Sequence, residues 1–255
     1  NQGISHFKKR IKTMQKQSCL IYRGPSQIDG QPIIAALTFS KRNKKLGKMA
    51  SLYIINDNGK GPIENNRLGL DVSICGNCPL KGIAHNGDKG TAKERVCYVS
   101  LIHGPNSIYK AYKSNKYKLV NDLVSLGSNE AIRLGAYGDP AAVPGHIIKA
   151  LISKAKSYTG YTHQHDLKGV DYLNCMASAN SLKDARKFWK LNIRTFRTIS
   201  ENDSLQPNEI LCPATDIKLK EKAITCATCK LCRGSSIKAK SVAVVLHGNG
   251  AKWAA

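Results

Sequence analysis

Apolar and polar positions along the chain first mark a β-rich section and then a succession of strands and helices. Near the start, apolar runs at residues 19–22, 32–39 and 50–55 predict strands, because turn-forming residues bound them. Gly-Pro-Ser at residues 24–26 predicts the turn after the first run. The front of the chain is therefore expected to be rich in β-structure.

After residue 95, short apolar runs alternate with helical stretches. Strands are predicted at residues 96–102, 131–136, 160–163, 172–177, 193–199 and 241–246. One or two helices are predicted over residues 107–126, and further helices at residues 144–156 and 182–190, the last with Ser181 as its N-cap. This succession indicates an α/β fold with a parallel sheet. We expect (βα) repeats that form a partial or complete barrel, with an open doubly wound sheet as the alternative.

The chain of 255 residues is long enough for one large domain. We expect a basic N-terminal segment over residues 1–18 and a single α/β domain over residues 19–247. Within that domain, residues 57–97 are a polar insert with little periodicity, which we expect a bound metal to order. Residues 212–234 are a second cysteine-rich segment, which we call the cysteine knuckle.

Positive charge is in large excess, with 40 Lys and Arg against 17 Asp and Glu and a net charge of +23. Self-repulsion of that size is relieved by a polyanionic partner, and a phosphate backbone is the usual one. We therefore expect DNA or RNA as the partner, with general basicity or an anionic membrane surface as alternatives. No apolar stretch approaches the roughly 18 residues of a membrane-spanning helix, which argues against a membrane.

A cationic loop between two predicted strands is the expected contact with phosphates. It covers residues 40–48, and a charged hairpin tip of this kind can face a nucleic-acid backbone. The predicted nucleic-acid-binding residues are Lys41, Arg42, Lys44, Lys45 and Lys48. A solvated loop without a partner is the alternative.

The first residues are basic but lack the apolar core of a signal peptide. The chain is therefore expected in the cytosol, where thiols stay reduced. Its nine cysteines are an odd number, which internal disulfides cannot use up. Metal binding is thus the expected use of the clustered cysteines, whereas Cys19, inside an apolar run, is expected to be a core thiol.

The knuckle contains Cys212 and, after thirteen intervening residues, Cys226-Ala-Thr-Cys229-Lys-Leu-Cys232. A Cys-x2-Cys turn aims two sulfurs at one point, a third Cys continues the turn, and a distant fourth closes the shell. Four thiolates suit tetrahedral zinc or an iron–sulfur cluster. The sequence therefore predicts all four cysteines as ligands and leaves the metal open.

A first cysteine group, defined as Cys75, Cys78 and Cys97, lies in the polar insert. Three thiolates leave one position of a tetrahedral metal unfilled. His85, Cys175 or an exogenous ligand is expected there, and the last case corresponds to a catalytic metal site. The chain is therefore predicted to have one or two metal sites in cysteine-rich loops.

Functional residues of parallel α/β folds gather at the carboxyl ends of the strands. Four side chains in or after predicted strands are therefore the catalytic candidates: Arg133, Asp139, His163 and Arg197. Asp139 and His163 are expected as a general acid–base pair. Arg133 and Arg197 are expected to hold a phosphate through bidentate hydrogen bonds. The alternative for Asp139 is a simple Gly-Asp-Pro turn.

Five motifs stand together in this chain. They are Gly-Pro-Ser near the start, Cys-x2-Cys-Pro with a later Cys-Tyr, Arg-Leu-Gly-Ala-Tyr-Gly-Asp-Pro (133–140), Tyr-Thr-His-Gln (161–164) and the cysteine-rich ending (212–232). This combination resembles an uncharacterised family of cysteine-rich proteins encoded by bacteriophages and prophages. The resemblance implies a phage or mobile-element origin and the cytosol of a bacterial host, and it carries no catalytic residues.

An α/β barrel with a three-cysteine group is also faintly similar to radical SAM enzymes. Their motif is Cys-x3-Cys-x2-Cys, and this chain departs from it because Cys97 follows Cys78 far too late. The resemblance carries no ligand assignment beyond the cysteines already named.

The expected function is that of a metal-containing nucleic-acid-binding protein that processes or modifies DNA or RNA, and so of an enzyme. One alternative is an iron–sulfur enzyme of radical type that acts on a small molecule or base. Another is a non-catalytic module that uses zinc as a scaffold for binding nucleic acid.

Overall fold

Two five-stranded sheets make up the fold in the computed structural model, which describes residues 16–39, 47–213, 215 and 224–246. The first sheet contains β1 (Cys19–Pro25), β2 (Pro32–Thr38), β3 (Ala50–Asn56), β4 (Ala131–Tyr137) and β5 (Ser157–Thr159), in that order. β1, β2 and β3 pair antiparallel, whereas β3, β4 and β5 pair parallel. The predicted β-rich start is confirmed, because β1 to β3 coincide with the three apolar runs.

The second sheet is parallel throughout. Its strands are β6 (Tyr161–Thr162), β7 (Met176–Ala179), β8 (Thr195–Ile199), β9 (Glu209–Leu211) and β10 (Ser241–Val245), in the spatial order β6-β7-β8-β10-β9. Only Gly160 separates β5 from β6, so one chain segment serves both sheets. The predicted α/β class is confirmed, and the strands of the described residues do not close into a complete barrel.

Short helices connect the strands. Those in the described residues are α1 (Pro62–Arg67), α2 (Val72–Cys75), α3 (Gly104–Lys113), α4 (Leu123–Gly127), α5 (Gly145–Ile152), α6 (Leu182–Lys190) and α7 (Cys226–Cys229). Ser181 caps α6 as predicted, because its hydroxyl accepts from the Asp184 N–H at 3.1 Å. Over the same residues, no helix combines the length and the apolar character needed to cross a membrane.

The main core lies between the first sheet and the helices packed on it. Ile33, Ile54 and Ile132 of the sheet are fully buried together with Ile74 of α2 and Leu151 of α5. Cys19 is also buried, as expected of a core thiol. Burial of such large aliphatic side chains is the main favourable term in folding.

Residues 96–102 do not form the predicted strand. The Arg95 guanidinium donates to the carbonyl oxygens of Cys97 and Val99, both at 2.8 Å. These side-chain hydrogen bonds replace the backbone hydrogen bonds that a neighbouring strand would make. In contrast, the one or two helices predicted over residues 107–126 are confirmed as two, α3 and α4. The apolar pattern also does not predict β9, because three residues carry too little periodic signal.

Buried side-chain amides order the polar insert. Asn66 donates to the Asp71 carboxylate at 2.7 Å and to the Lys81 carbonyl at 2.9 Å, and its own carbonyl oxygen accepts from the Ala92 N–H. Asn65 closes the turn at the start of α1 by donating to the carbonyls of Lys60 and Gly61. Because buried polar groups need such partners, these bonds define the path of the segment that carries the first cysteine group.

Candidate functional site

A cavity of about 350 Å³ lies against one face of the parallel sheet. Alternate strand residues line it, because side chains two apart point to the same face of a strand. These wall residues are Arg133 from β4, Thr159, Tyr161 and His163 along β5 and β6, Ser178 and Asn180 at β7, Phe196 and Thr198 from β8, and Val242 and Val244 from β10. Its size falls in the range of small-molecule sites.

The cysteine knuckle closes one side of this cavity. All four of its cysteines, Cys212, Cys226, Cys229 and Cys232, line the wall. Thr225 and Thr228 cap the one-turn helix α7 reciprocally. Lys230 then adopts a left-handed backbone conformation at φ 58°, which turns the chain back after Cys229. The four thiols therefore line one cavity, and their role as ligands of a single metal stays a prediction.

The thiols of the knuckle are close enough to affect one another. Burial raises the pKa of the three thiols in the 226–232 segment, and the nearby Cys212 thiol raises each of them further. The Leu231 N–H donates to the Cys229 sulfur and opposes the increase, and the Arg133 guanidinium does the same for Cys226. Four thiolates at this place would therefore need a compensating cation, which a bound metal provides.

Arg194 attaches the knuckle to the second sheet. Its buried guanidinium donates to the carbonyl oxygens of Leu231, Gly234, Ala239 and Lys240 at 2.5–2.8 Å. The Cys232 carbonyl accepts from the Gly160 N–H at 2.9 Å, at the junction of the two sheets. The sequence pattern gives no signal for this arginine, because its partners are backbone groups some forty residues away.

The first cysteine group surrounds the end of α2. Burial raises the pKa of Cys75 well above its ordinary value, and the thiols of Cys78 and Cys97 contribute to the increase. Burial together with Cys97 raises the pKa of Cys78 to about 12, although the Leu80 N–H donates to its sulfur. The three predicted cysteines are therefore neighbours in the fold despite their separation along the chain.

The two side chains predicted as a fourth ligand are occupied elsewhere. The Nδ1 atom of His85 accepts from the Gly87 N–H at 3.0 Å, and its Nε2 atom is 3.1 Å from the Thr91 carbonyl oxygen. Cys175 belongs to the hydrophobic core beside Gly160. In contrast, the His163 Nε2 atom lies 4.0 Å from the Cys78 sulfur.

Asp139 and His163 are neighbours through the backbone N–H of His163, and their expected role as a general acid–base pair stays a prediction. The Asp139 carboxylate accepts from the backbone N–H groups of His163 and Ala141, at 2.8 and 3.0 Å. It also accepts from the Gln164 side chain at 3.2 Å. The imidazole itself faces Cys78 and the side-chain amide oxygen of Asn180, and burial lowers its pKa. Asp139 therefore positions the strand end, and the ring faces the cavity.

The structure separates Arg133 from Arg197, so the predicted phosphate clamp of these two residues is not formed. Arg197 points to the opposite face of β8, where it is 3% exposed and makes a bidentate salt bridge with Glu209 at 2.7 and 2.6 Å. Alternation along the strand is the reason, because Phe196 and Thr198 on either side line the cavity. Of these two arginines, only Arg133 lines the cavity.

Two tyrosines that the sequence pattern does not single out hold Arg133 in place. Its guanidinium donates to the hydroxyls of Tyr98 and Tyr161. Burial works to lower its pKa, but these two hydroxyls and the Cys226 thiol raise it overall. The ring of Tyr161 stacks on Phe196 with centroids 4.2 Å apart. The cavity thus combines one fixed cation with a stacked aromatic pair.

The described end of the basic loop, at Gly47 and Lys48, lies beside the knuckle. Lys41, Arg42, Lys44 and Lys45 lie outside the described residues. Lys48 is exposed, and its neighbour Met49 packs against Cys226 and Ala227 of the knuckle. A side chain at Gly47 would lie 2.7 Å from the Thr225 hydroxyl. The end of this loop therefore contacts the knuckle directly.

The side chains as they stand do not enclose an ion. Over residues 16–39, 47–213, 215 and 224–246, no group of three or more His, Cys, Asp or Glu side chains is arranged to hold a metal. The donor set of both cysteine groups suits a thiophilic metal, and binding requires the sulfurs to turn toward a common point. Compared with family models, curated proteins and solved structures, the chain shows no match.

Proposed function

We propose that this chain is a metal-containing nucleic-acid-binding protein that processes or modifies DNA or RNA, and that its cavity receives a single nucleotide. The observation that carries the proposal is Arg133. It is a cation in the cavity wall that is held by two tyrosine hydroxyls and makes no salt bridge with an acidic side chain among the described residues. A phosphate entering the cavity would supply the missing negative charge.

The aromatic pair beside Arg133 supports a nucleotide as the occupant. Tyr161 and Phe196 present a stacked apolar surface in the cavity, and bases bind to such surfaces without regard to their hydrogen-bonding edges. Valine side chains of β10 add aliphatic surface to the wall. A flipped-out or single-stranded base with its phosphate matches this combination of surfaces.

The overall charge supports a polymer rather than a free nucleotide. A net charge of +23 favours a partner with many phosphates. The basic loop reaches the described structure at Gly47 and Lys48, next to the knuckle that closes the cavity. A nucleic-acid strand bound at this end of the loop would therefore lie beside the knuckle.

The knuckle is the proposed metal site of this function, with Cys212, Cys226, Cys229 and Cys232 as ligands. Zinc bound there would have a structural role and would fix the conformation of the loop. An iron–sulfur cluster would instead supply electron transfer. Arg194 and the Gly160 N–H hold the backbone of this loop against the sheet whichever metal is bound. The phage or mobile-element origin and the bacterial cytosol remain part of the proposal, on the sequence motifs alone.

Binding of fluorescent single-stranded DNA and RNA, measured by anisotropy at several salt concentrations, tests this proposal. We expect Arg133→Gln to weaken binding about tenfold or more, since a hydrogen bond to a charged group contributes about 1.5–3 kcal/mol. Arg186→Gln removes the same charge from the exposed face of α6 and is the matched control, expected to change affinity much less. Negligible affinity of the unchanged protein for both nucleic acids at low salt would overturn the proposal.

A second candidate is an iron–sulfur enzyme of radical type that acts on a small molecule or base. It is favoured by one specific observation, namely that the knuckle thiols line the cavity instead of lying apart from it. Metal analysis and the visible absorption spectrum of anaerobically purified protein separate the two candidates. A cluster absorbs broadly in the visible, whereas a colourless protein that holds only zinc excludes this candidate.

A further inference from the structure

We propose that His163 is the fourth ligand of the first cysteine group, which makes Cys75, Cys78, Cys97 and His163 a second metal site of the Cys3His type. This inference rests on the part of the proposed function that assigns metal to the cysteines. It replaces His85 and Cys175, the two protein ligands that the sequence suggests. It also gives His163 a role other than general base.

The distance between His163 and Cys78 fits a shared metal. Zinc binds sulfur at about 2.3 Å and imidazole nitrogen at about 2.0–2.1 Å, so two such ligands at a tetrahedral angle lie about 3.5 Å apart. The Cys78 sulfur and the His163 Nε2 atom are 4.0 Å apart. The separation thus exceeds the expected value by a few tenths of an ångström, which a small side-chain rotation removes.

Backbone contacts hold the cysteine loop against the strand end that carries His163. The Gln164 side chain donates to the Cys75 carbonyl at 2.9 Å and to Asp139 at 3.2 Å. Gly76 has φ +50°, and a side chain there would lie 1.9 Å from the Gln164 amide oxygen. Asp139 binds the His163 N–H from the other side. The ligand pair is therefore built into a rigid contact between two segments 85 residues apart.

The competing ligands are excluded by their own surroundings. Both ring nitrogens of His85 lie within hydrogen-bonding distance of backbone groups of its own loop. Cys175 contributes to the core, and its environment includes Gly160 and Leu134. The other histidine of the strand end, His165, is bonded through its Nε2 atom to the Ser178 carbonyl at 2.8 Å. Of these three described histidines, His163 alone has a ring nitrogen in contact with a thiol of the first cysteine group.

Three thiolates and one imidazole are a soft, four-coordinate donor set, which suits zinc and leaves no position for substrate. The first group would then be a closed structural site. It would fix the loop from Cys75 to Cys97 beside the cavity, where Leu80, Val96 and Tyr98 form part of the wall. Tyr98 in turn accepts from Arg133, so the site would support the cation that binds phosphate.

Zinc stoichiometry and affinity of the full chain, measured by chelator competition, test this assignment. We expect two zinc ions per chain in the unchanged protein and one in Cys226→Ser. Removal of an outer-shell partner lowers metal affinity roughly 10- to 100-fold. His163→Gln removes a ligand, so the zinc affinity of one of the two sites should fall by more than that. His85→Gln is the matched control and should keep both sites at their original affinity.

If His163→Gln does not fold, the variant His163→Cys tests whether residue 163 is a metal ligand. It replaces the imidazole by a fourth thiolate, so we expect it to retain two metals. Its cobalt-loaded form should gain thiolate-to-cobalt charge-transfer absorption relative to the unchanged protein, which a purely structural role for His163 would not produce.

Two results would overturn the assignment while leaving the rest of the proposed function in place. One is that His163→Gln keeps two zinc ions at unchanged affinity. The other is that the unchanged protein holds metal only in the knuckle, so that Cys226→Ser holds none. Nucleic-acid binding of the same samples is recorded in parallel, because its absence would count against the proposed function and not against the ligand.

Discussion

The side-chain amide of Gln164 donates to the carbonyl oxygen of Cys75 at 2.9 Å and thereby joins the first cysteine group to the end of β6. Gln164 is only 4% exposed, and its second bond goes to Asp139. One glutamine therefore connects the polar insert, the Gly-Asp-Pro turn and the strand that carries His163. The geometry of the site depends on this contact.

Loss of the Gln164 amide should destabilise the protein. We expect Gln164→Ala to lower the free energy of unfolding by about 1–3 kcal/mol, because it leaves a buried carbonyl and a buried carboxylate each without one donor. Urea titration followed by circular dichroism measures the change. Gln206→Ala is the control, since that side chain makes only a long exposed contact of 3.5 Å to the Ser204 carbonyl. Equal effects of the two substitutions would contradict the role given to Gln164.

Gly76 is required by the same contact. We expect Gly76→Ala to cost more than about 1 kcal/mol, because a Cβ would collide with Gln164 and a positive φ is strained for any other residue. Gly145, at the start of α5, has open space around its Cα. Gly145→Ala should therefore be neutral or slightly stabilising, since alanine favours helices. Thermal unfolding of both variants gives the comparison, and a neutral Gly76→Ala would show that the loop is not packed on Gln164.

Arg194 should be irreplaceable by lysine. Its planar guanidinium bonds four carbonyl oxygens of the 231–240 segment, and an ammonium group cannot reach all of them. We expect Arg194→Lys to destabilise the protein by about 2 kcal/mol or more, given about 1.5–3 kcal/mol for a hydrogen bond to a charged group. Metal should also leave the knuckle faster, as measured with a chromogenic chelator. An unchanged rate of metal release would show that Arg194 does not stabilise the metal site of the knuckle.

Arg197 and Glu209 should behave as a structural pair. Removing one partner leaves the other charge buried, so we expect Arg197→Met to cost about 3–5 kcal/mol of stability. The double variant Arg197→Met with Glu209→Leu should recover a large part of that loss. Nucleic-acid affinity of the folded double variant should be unchanged, because the pair lies on the face of β8 away from the cavity. A loss of nucleic-acid affinity in the folded double variant would indicate that Arg197 belongs to the binding site.

Much of the fold is predictable because its signals are local. Apolar runs bounded by turns predict β1 to β4, and Ser181 followed by Asp184 predicts the start of α6. The segment at residues 96–102 is apolar enough to be mistaken for a strand, and only the distribution of Arg95 hydrogen bonds shows that it is not one. The local pattern of apolar and polar residues does not predict which acceptors a long side chain reaches with its hydrogen-bond donors.

The same limit of local sequence signals decides which candidate site residues could be predicted. Cysteine spacing alone groups Cys226, Cys229 and Cys232, because a tight turn aims neighbouring sulfurs at one point. Alternation along β8 could have placed Arg197 opposite Phe196, but its partner Glu209 lies on a strand too short to predict. Lys41, Arg42, Lys44 and Lys45 lie outside the described residues, so the contact with nucleic acid expected from their charge stays a prediction.

The sequence by itself determined the α/β class, the two cysteine groups and the excess of positive charge, since periodicity, short spacings and composition are properties of the chain. Only the tertiary structure decided which residues meet across the cavity. It placed His163 beside Cys78, Tyr98 and Tyr161 around Arg133, and the knuckle over the sheet. The physical reason is that these contacts join segments far apart along the chain, and their partners are selected by sheet pairing and by the face to which each strand directs its side chains.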